Sequence, residues 1–207
     1  MDAEAWNERY AGSDPVWSLT PNVFVERELA HMSPGTAVDL ATGEGRNAIW
    51  LAKRGWRVTA VDFAQVGLDK GAAMADGLPI TWVCADATRW VSPLPVGLVL
   101  VAYLQLDPEA RRAAVSGAWN SLEIGGTLLW VAHDSTNLAE GTGGPQDPAV
   151  LMTAEDVLDD LDHLGATYGV VRAGRVERTV ADNPGHGHGH EGTRTAWDCL
   201  VRVVRQR

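Results

Sequence analysis

Short apolar runs alternate along the chain with stretches whose apolar residues recur every three or four positions, and glycines or acids stand at most of the boundaries. Ala37, Val38, Leu40 and Ala41 read as a strand buried on both faces, and Asn47-Ala-Ile-Trp-Leu-Ala-Lys-Arg54 continues as a helix that stops at Gly55. The same grammar repeats. Residues 56–62 predict a second strand, 65–75 a helix, 80–84 a third strand and 96–104 a fourth. Asp107-Pro-Glu109 caps a helix to about Leu122, Gly125-Gly126 turns, and 127–132 predict a fifth strand. Thr153-Ala-Glu-Asp156 resembles a capping box before a helix to Gly165. Residues 168–178 and 196–204 are the last two strands, and with no helix between them they pair antiparallel. The fold class is α/β: a doubly wound, Rossmann-like sheet of about seven strands, mostly parallel, with an antiparallel C-terminal hairpin and helices on both faces.

Ahead of this alternation, residues 2–11 form a helix with Trp6 and Tyr10 on one face, and Thr20-Pro21 starts a second helix to about His31. Residues 1–207 thus read as one domain, with 1–32 a helical lid and 33–207 the Rossmann-like core.

Composition narrows the partners. The 207 residues are 45% apolar and 21% charged, and no apolar run approaches the roughly 20 residues that span a bilayer. The formal charge of −10 disfavours nucleic acid and anionic membrane, which need clustered Lys and Arg. Met1-Asp-Ala-Glu-Ala lacks the basic start of a signal peptide, so a cytoplasmic monomer or homodimer acting on small molecules is expected. Cys84 and Cys199 lie in strand-like runs and read as buried free thiols. Nine Trp, several outside the core segments, suggest aromatic walls around a ligand.

Candidate chemistry gathers at the strand ends. Asp39 closes the first strand, Thr42, Gly43 and Gly45 make a tight loop, and Arg46 and Asn47 open the helix. Gly43-Glu-Gly-Arg-Asn-Ala48 also satisfies the dinucleotide pattern, but Asp39 and Glu44 would repel a pyrophosphate. A ligand with an ammonium for Asp39, a carboxylate for the loop N–H groups and a tolerated positive charge fits better, which describes the methionine end of S-adenosyl-L-methionine. Asp62 follows Asp39 by 23 positions, the spacing of adjacent parallel strand ends, where an acid accepts both ribose hydroxyls. Asp86 ends the third strand between Ala85 and Ala87 and is placed for an adenine amine. Tyr103, Leu104 and Gln105 leave the fourth strand beside the reacting centre, and the fifth delivers His133. Gln105 and His133 are the catalytic candidates, His133 as a base or simply a satisfied strand-end histidine. Residues 135–148 read as a functional loop. His186, His188 and His190 alternate with glycines in a flap; a metal site is the weaker reading, and no metal is expected.

Asp39-Leu-Ala-Thr-Gly-Glu-Gly-Arg-Asn47, Asp62-Phe63 and Cys84-Ala-Asp86 resemble the motifs of class I S-adenosylmethionine-dependent methyltransferases, in particular the tellurite-resistance and thiopurine-type branch. The resemblance implies a methyltransferase with S-adenosyl-L-methionine as cofactor, Phe63 beside it, and Trp6, Tyr10 and Trp17 in an aromatic lid. Glu123-Ile-Gly-Gly126 replaces the family's Pro-Gly-Gly turn, and Glu177-Arg178 stands where some relatives carry a substrate-side His-Arg pair. Two other classes compete: an NAD(P)-dependent oxidoreductase, which would want a third glycine and a neutral first strand end, and a non-catalytic cofactor-binding protein.

Overall fold

The computed structural model describes residues 2–12, 16, 20–181 and 193–207. Two helices, α1 (Ala3–Tyr10) and α2 (Val23–Leu29), precede β1 (Thr36–Leu40), α3 (Arg46–Lys53), β2 (Arg57–Asp62), α4 (Gln65–Ala75), β3 (Ile80–Cys84) and β4 (Val96–Ala102). There follow α5 (Pro108–Asn120), β5 (Leu122–His133), α6 (Asn137–Glu140), a 3-10 turn at Pro148–Val150, α7 (Ala154–His163), β6 (Tyr168–Ala181) and β7 (Thr193–Arg205). Among the described residues the strands form one seven-stranded sheet of order β3-β2-β1-β4-β5-β7-β6. β1 to β5 are parallel, and β7 lies antiparallel to both β5 and β6.

Strand alternation explains the two apolar layers. Leu98, Leu100 and Leu129 face Phe24, Val25 and Leu29 of α2 and Leu51 of α3. Val99, Val101, Leu128 and Trp130 face Val115 and Ala118 of α5 and Val157 and Leu161 of α7. Because β1 and β4 are sandwiched between these layers, both strands are largely apolar, apart from Thr36 and Asp39 in β1. A buried pair, Arg111 Nε to Asp160 Oδ2 at 2.7 Å, ties α5 to α7 on the second face.

Several boundaries differ from the sequence expectation. The N-cap of α2 is Asn22, whose Oδ1 accepts from Phe24 N at 2.9 Å and Val25 N at 3.2 Å, so Thr20-Pro21 stands outside the helix. Asn22 wins because its side chain also reaches tertiary partners. Gly125-Gly126 does not separate α5 from β5; it sits inside the strand, where the pairing with β4 shifts between Val96 and Leu98. The 135–148 loop contains α6. Cys199 is buried but Cys84 is exposed, because β3 is the sheet edge. The capping box at Thr153 is present, with Asp156 returning the bond.

Candidate active site

The turn after β1 bends through three residues of positive φ, Ala41 (61°), Gly43 (59°) and Gly45 (77°). A Cβ at Gly45 would overlap the ring of Trp82, which packs beneath the loop. The loop N–H groups were expected to face a ligand, but three are satisfied internally: Thr42 N by Val61 O (3.0 Å), Gly43 N by Asp62 Oδ2 (2.8 Å) and Gly45 N by Thr42 O (3.0 Å). The turn is too tight to leave them outward. The polar group beside it in the cleft is instead the guanidinium of Arg46, which burial pushes below its usual pKa range.

Glu44 likewise departs from its expected role. It is buried, its Oε1 lies 2.7 Å from Lys70 Nζ, and its Oε2 accepts from Val16 N at 2.9 Å. Its charge is compensated and it does not line the cleft, whose carboxylates are Asp62, Asp86, Asp147 and Glu177. Lys70 also donates to Tyr10 O (3.2 Å) and Gly12 O (3.0 Å), and Asn7 Oδ1 accepts from Val66 N at 2.9 Å. These bonds dock α1 on α4, where the ring of Tyr10 lies against Gly67 and stacks with Trp6 at 5.4 Å.

Asp39 is shut beneath the loop, 1% exposed, with Thr42 Oγ1 donating to its Oδ2 at 2.6 Å. Burial outweighs the bonds from Thr42 and the Ala48 N–H and raises its pKa to about 7. Thr42, rather than Asp39, reaches the cleft wall. Asp62 is also raised by burial, against N–H bonds from Ala64 and Gly43, yet it lines the cleft. Two N–H donors leave its carboxylate with accepting capacity.

A cleft of about 1140 Å³ opens at the C-terminal ends of the strands. It joins Trp6, Tyr10, Thr42, Gly43, Arg46, Asn47, Asp62, Phe63, Asp86, Ala87, Tyr103, Leu104, Gln105 and His133. Gly45 and Ala85 support it from behind: Gly45 packs on Trp82, and Ala85 N donates to Asp62 O at 2.9 Å. Asp86 Oδ1 holds Thr88 through its N–H and hydroxyl, both at 2.8 Å. Trp17 and the three histidines at 186, 188 and 190 lie outside the described residues. No described cluster of His, Cys, Asp or Glu could hold a metal.

The far end of the cleft holds a network that sequence reasoning missed. Tyr103, at φ 62°, turns out of β4 and donates its hydroxyl to Asp198 Oδ2 at 2.9 Å. Burial and the neighbouring Asp198 raise the phenol pKa. Arg178 Nε donates to the same oxygen at 2.6 Å, and Asn22 Nδ2 donates to the Tyr103 hydroxyl at 3.1 Å. His133 Nδ1 lies 3.1 Å from Asp198 Oδ1, off the line of a full hydrogen bond. Gln105 is held at both ends: Oε1 accepts from His133 N at 3.1 Å, and Nε2 donates to Val150 O at 2.9 Å. One signal was available in the sequence, since Asp198 is the sole acid in the run 193–205.

Residues 37–126 match the family model of a methyltransferase domain. The described residues share their fold with solved methyltransferases. A protein studied in the conversion of a disulfide bond into a thioacetal group during echinomycin biosynthesis aligns over 99% of this chain and 92% of its own, at 18% identity and a TM-score of 0.72. The N-methyltransferase NodS from Bradyrhizobium japonicum WM9, solved with S-adenosyl-L-homocysteine, aligns over 99% and 98%, at 18% identity and 0.70. TehB from Haemophilus influenzae aligns over 99% and 67%, at 17% identity and 0.69. At such identities the likeness is one of fold. No curated protein matches the chain. No described helix is long and apolar enough to cross a membrane.

Proposed function

We propose that this protein is a methyltransferase that moves the methyl group of S-adenosyl-L-methionine to a small-molecule acceptor. The observation that carries the reading is the single cleft in which the acidic strand ends at one side and the Tyr103–Asp198–His133 network at the other share one volume. The residues present fit the cofactor. Asp62 takes the ribose hydroxyls, Asp86 the adenine amine, and Ala87 and Phe63 frame the base, with Ala85 holding the end of β2 from behind. Arg46 takes the carboxylate, with Asn47 buried at the start of α3, and Asp39 acts on the ammonium through Thr42 or a water. Trp6 and Tyr10 close over it as part of an N-terminal lid, and Tyr103 and Leu104 line the methyl side.

When bound, the sulfonium supplies an electrophilic methyl carbon for an in-line displacement. The protein positions the acceptor and excludes water, which accounts for most of the acceleration. Gln105, held by main-chain partners, positions His133. A dinucleotide enzyme is disfavoured, because its parallel order β3-β2-β1-β4-β5-β6 lacks an inserted antiparallel strand. Calorimetry with S-adenosylhomocysteine and with NAD decides between them: binding of the first alone is expected, and binding of NAD alone overturns the reading. Mass-spectrometric methyl transfer over phenol, amine and thiol acceptors then tests catalysis, with a protein that binds but never transfers returning it to a non-catalytic binder.

A further inference from the structure

Cofactor binding leaves one feature of the cleft without a task. Asp198 is 0% exposed, in the middle of an apolar strand, and burying a carboxylate is unfavourable unless something holds it. Its Oδ2 is held by Tyr103 and Arg178 Nε, and its Oδ1, which accepts a long bond from Arg178 Nη2 at 3.5 Å, lies 3.1 Å from the imidazole of His133. Resting on the methyl-transfer reading above, we propose that His133 is the base for an acceptor that must lose a proton, a hydroxyl or an amine, and that Asp198 is the positioning residue that orients it.

The geometry restricts the ring on two sides. The Tyr103 ring lies 4.8 Å away at 35° on one side, and Gly144, at φ 79°, lies on another so close that a Cβ there would stand 3.0 Å from the imidazole. Gln105 holds the His133 main chain. With Nδ1 only 3.1 Å from Asp198 Oδ1, a small turn of the ring completes that bond, which places the proton on Nδ1 and makes Nε2 the basic atom. His133 lines the cleft, so the acceptor has access to it.

Charge agrees with geometry. Burial opposes ionisation of Asp198, but His133 and Arg178 prevail and hold its carboxyl below the usual range. Arg178 is driven down by burial and up, to a larger total, by Asp198 and Tyr103. The Arg178–Asp198 pair is neutral together, so the imidazole can become the one added positive charge. Glu177 and Asp147 line the same cleft. A soft anionic acceptor such as a thiolate has no proton to lose and needs none of this.

In the step, a lone pair of the acceptor oxygen or nitrogen forms a bond to the sulfonium methyl carbon as the C–S bond breaks. Its electrons return to sulfur, which leaves as the neutral thioether. The acceptor proton passes to His133 Nε2 while Nδ1–H stays with Asp198, and His133 later gives the proton to solvent.

Nitrogen-15 NMR of the full chain saturated with S-adenosylhomocysteine reads the tautomer without turnover. His133 is expected with Nδ1 protonated and Nε2 free, and Asp198→Asn is expected to shift it; Nε2–H in the wild type overturns the assignment. His133→Gln, which leaves Asp198 with Arg178, covers the case in which Asp198→Asn does not fold. It should lower methylation of phenols or anilines on the order of a hundredfold, leave thiophenols near wild type, and leave S-adenosylhomocysteine affinity within about twofold. Unchanged phenol and aniline turnover, or a wild type that binds S-adenosylhomocysteine yet methylates thiols alone or none of these, overturns the inference. Failure of the wild type to bind S-adenosylhomocysteine instead overturns the cofactor reading beneath it.

Discussion

The side-chain amide of Asn22 donates to the hydroxyl of Tyr103 at 3.1 Å, joining the start of α2 to the end of β4 across 81 positions of sequence. The same residue caps α2 through Oδ1 and, through its own N–H, donates to Asn47 Oδ1 at 2.9 Å. One residue thus fixes the start of α2 against both the turn region at Asn47, through its main chain, and Tyr103, through its side chain. Asn22→Ala is expected to lose the cap and the bond to Tyr103 while keeping the main-chain bond to Asn47, a destabilisation of about 2 kcal/mol in urea unfolding. Asn22→Asp should keep the cap and recover about half. Equal loss in both variants would show that the cap is not the source.

Asp39 makes stability depend on pH in a direction opposite to a paired surface acid. Its folded pKa, about 7, is raised above the ordinary 3.8, so folding takes up a proton between the two values. That contribution is fully present below about pH 3.8 and lost as pH rises through about 7. Asp62 shifts the same way for the same cause. Asp39→Asn should therefore raise the melting temperature of the ligand-free protein more at about pH 8 than at about pH 5. A gain that does not change with pH argues against the shift.

Cofactor affinity should carry the mirror image. An ammonium near Asp39 favours its ionised form, so affinity for S-adenosylhomocysteine is expected to rise about tenfold per pH unit below about 7 and then flatten. Calorimetry across that range checks it. Asp39→Asn should bind more weakly at neutral pH and lose the slope.

Gly45 predicts a rescue. Gly45→Ala meets both the left-handed backbone and the Trp82 ring, and should destabilise by about 2–4 kcal/mol. Adding Trp82→Leu removes the overlap and leaves the backbone cost of about 1–2 kcal/mol. A double variant no more stable than Gly45→Ala would mean that the ring is not what Gly45 accommodates.

Lys70 holds Glu44 and the end of α1 together. Lys70→Met should leave a buried carboxylate without its cation, at about 3 kcal/mol. S-adenosylhomocysteine should also bind more weakly, because Tyr10 O and Gly12 O lose their donor. Stability lost with affinity retained would separate the docking of α1 from ligand closure.

Sequence reading reached the sheet because the parallel strands are short, largely apolar runs, the first three with an acid at or beside their ends, a signal local to the chain. For the same reason the sequence places Asp62, Asp86 and the Gly43–Gly45 turn at one edge of the sheet, where Gly43, Asp62 and Asp86 line the cleft. The misses are nonlocal. Whether Glu44 faces ligand or Lys70 depends on where α4 packs, and whether Cys84 is covered depends on which strand is the edge. Asn22, Arg178 and Asp198 become neighbours only through tertiary docking and the β5–β7 register, which puts His133 opposite Asp198. No spacing rule connects residue 22 to residue 198.

The strand order has a consequence for how the chain reaches this state. β7 lies between β5 and β6, so β6 has no place in the sheet until the later strand has been laid down. Until then Leu128 to Ala132, buried in the finished fold, present an open apolar strand edge to any other chain. Refolding yield should thus be limited by concentration during the interval before the hairpin docks, and a polypeptide caught in that interval would carry an intact cofactor loop yet lack Arg178 and Asp198 at the reacting end.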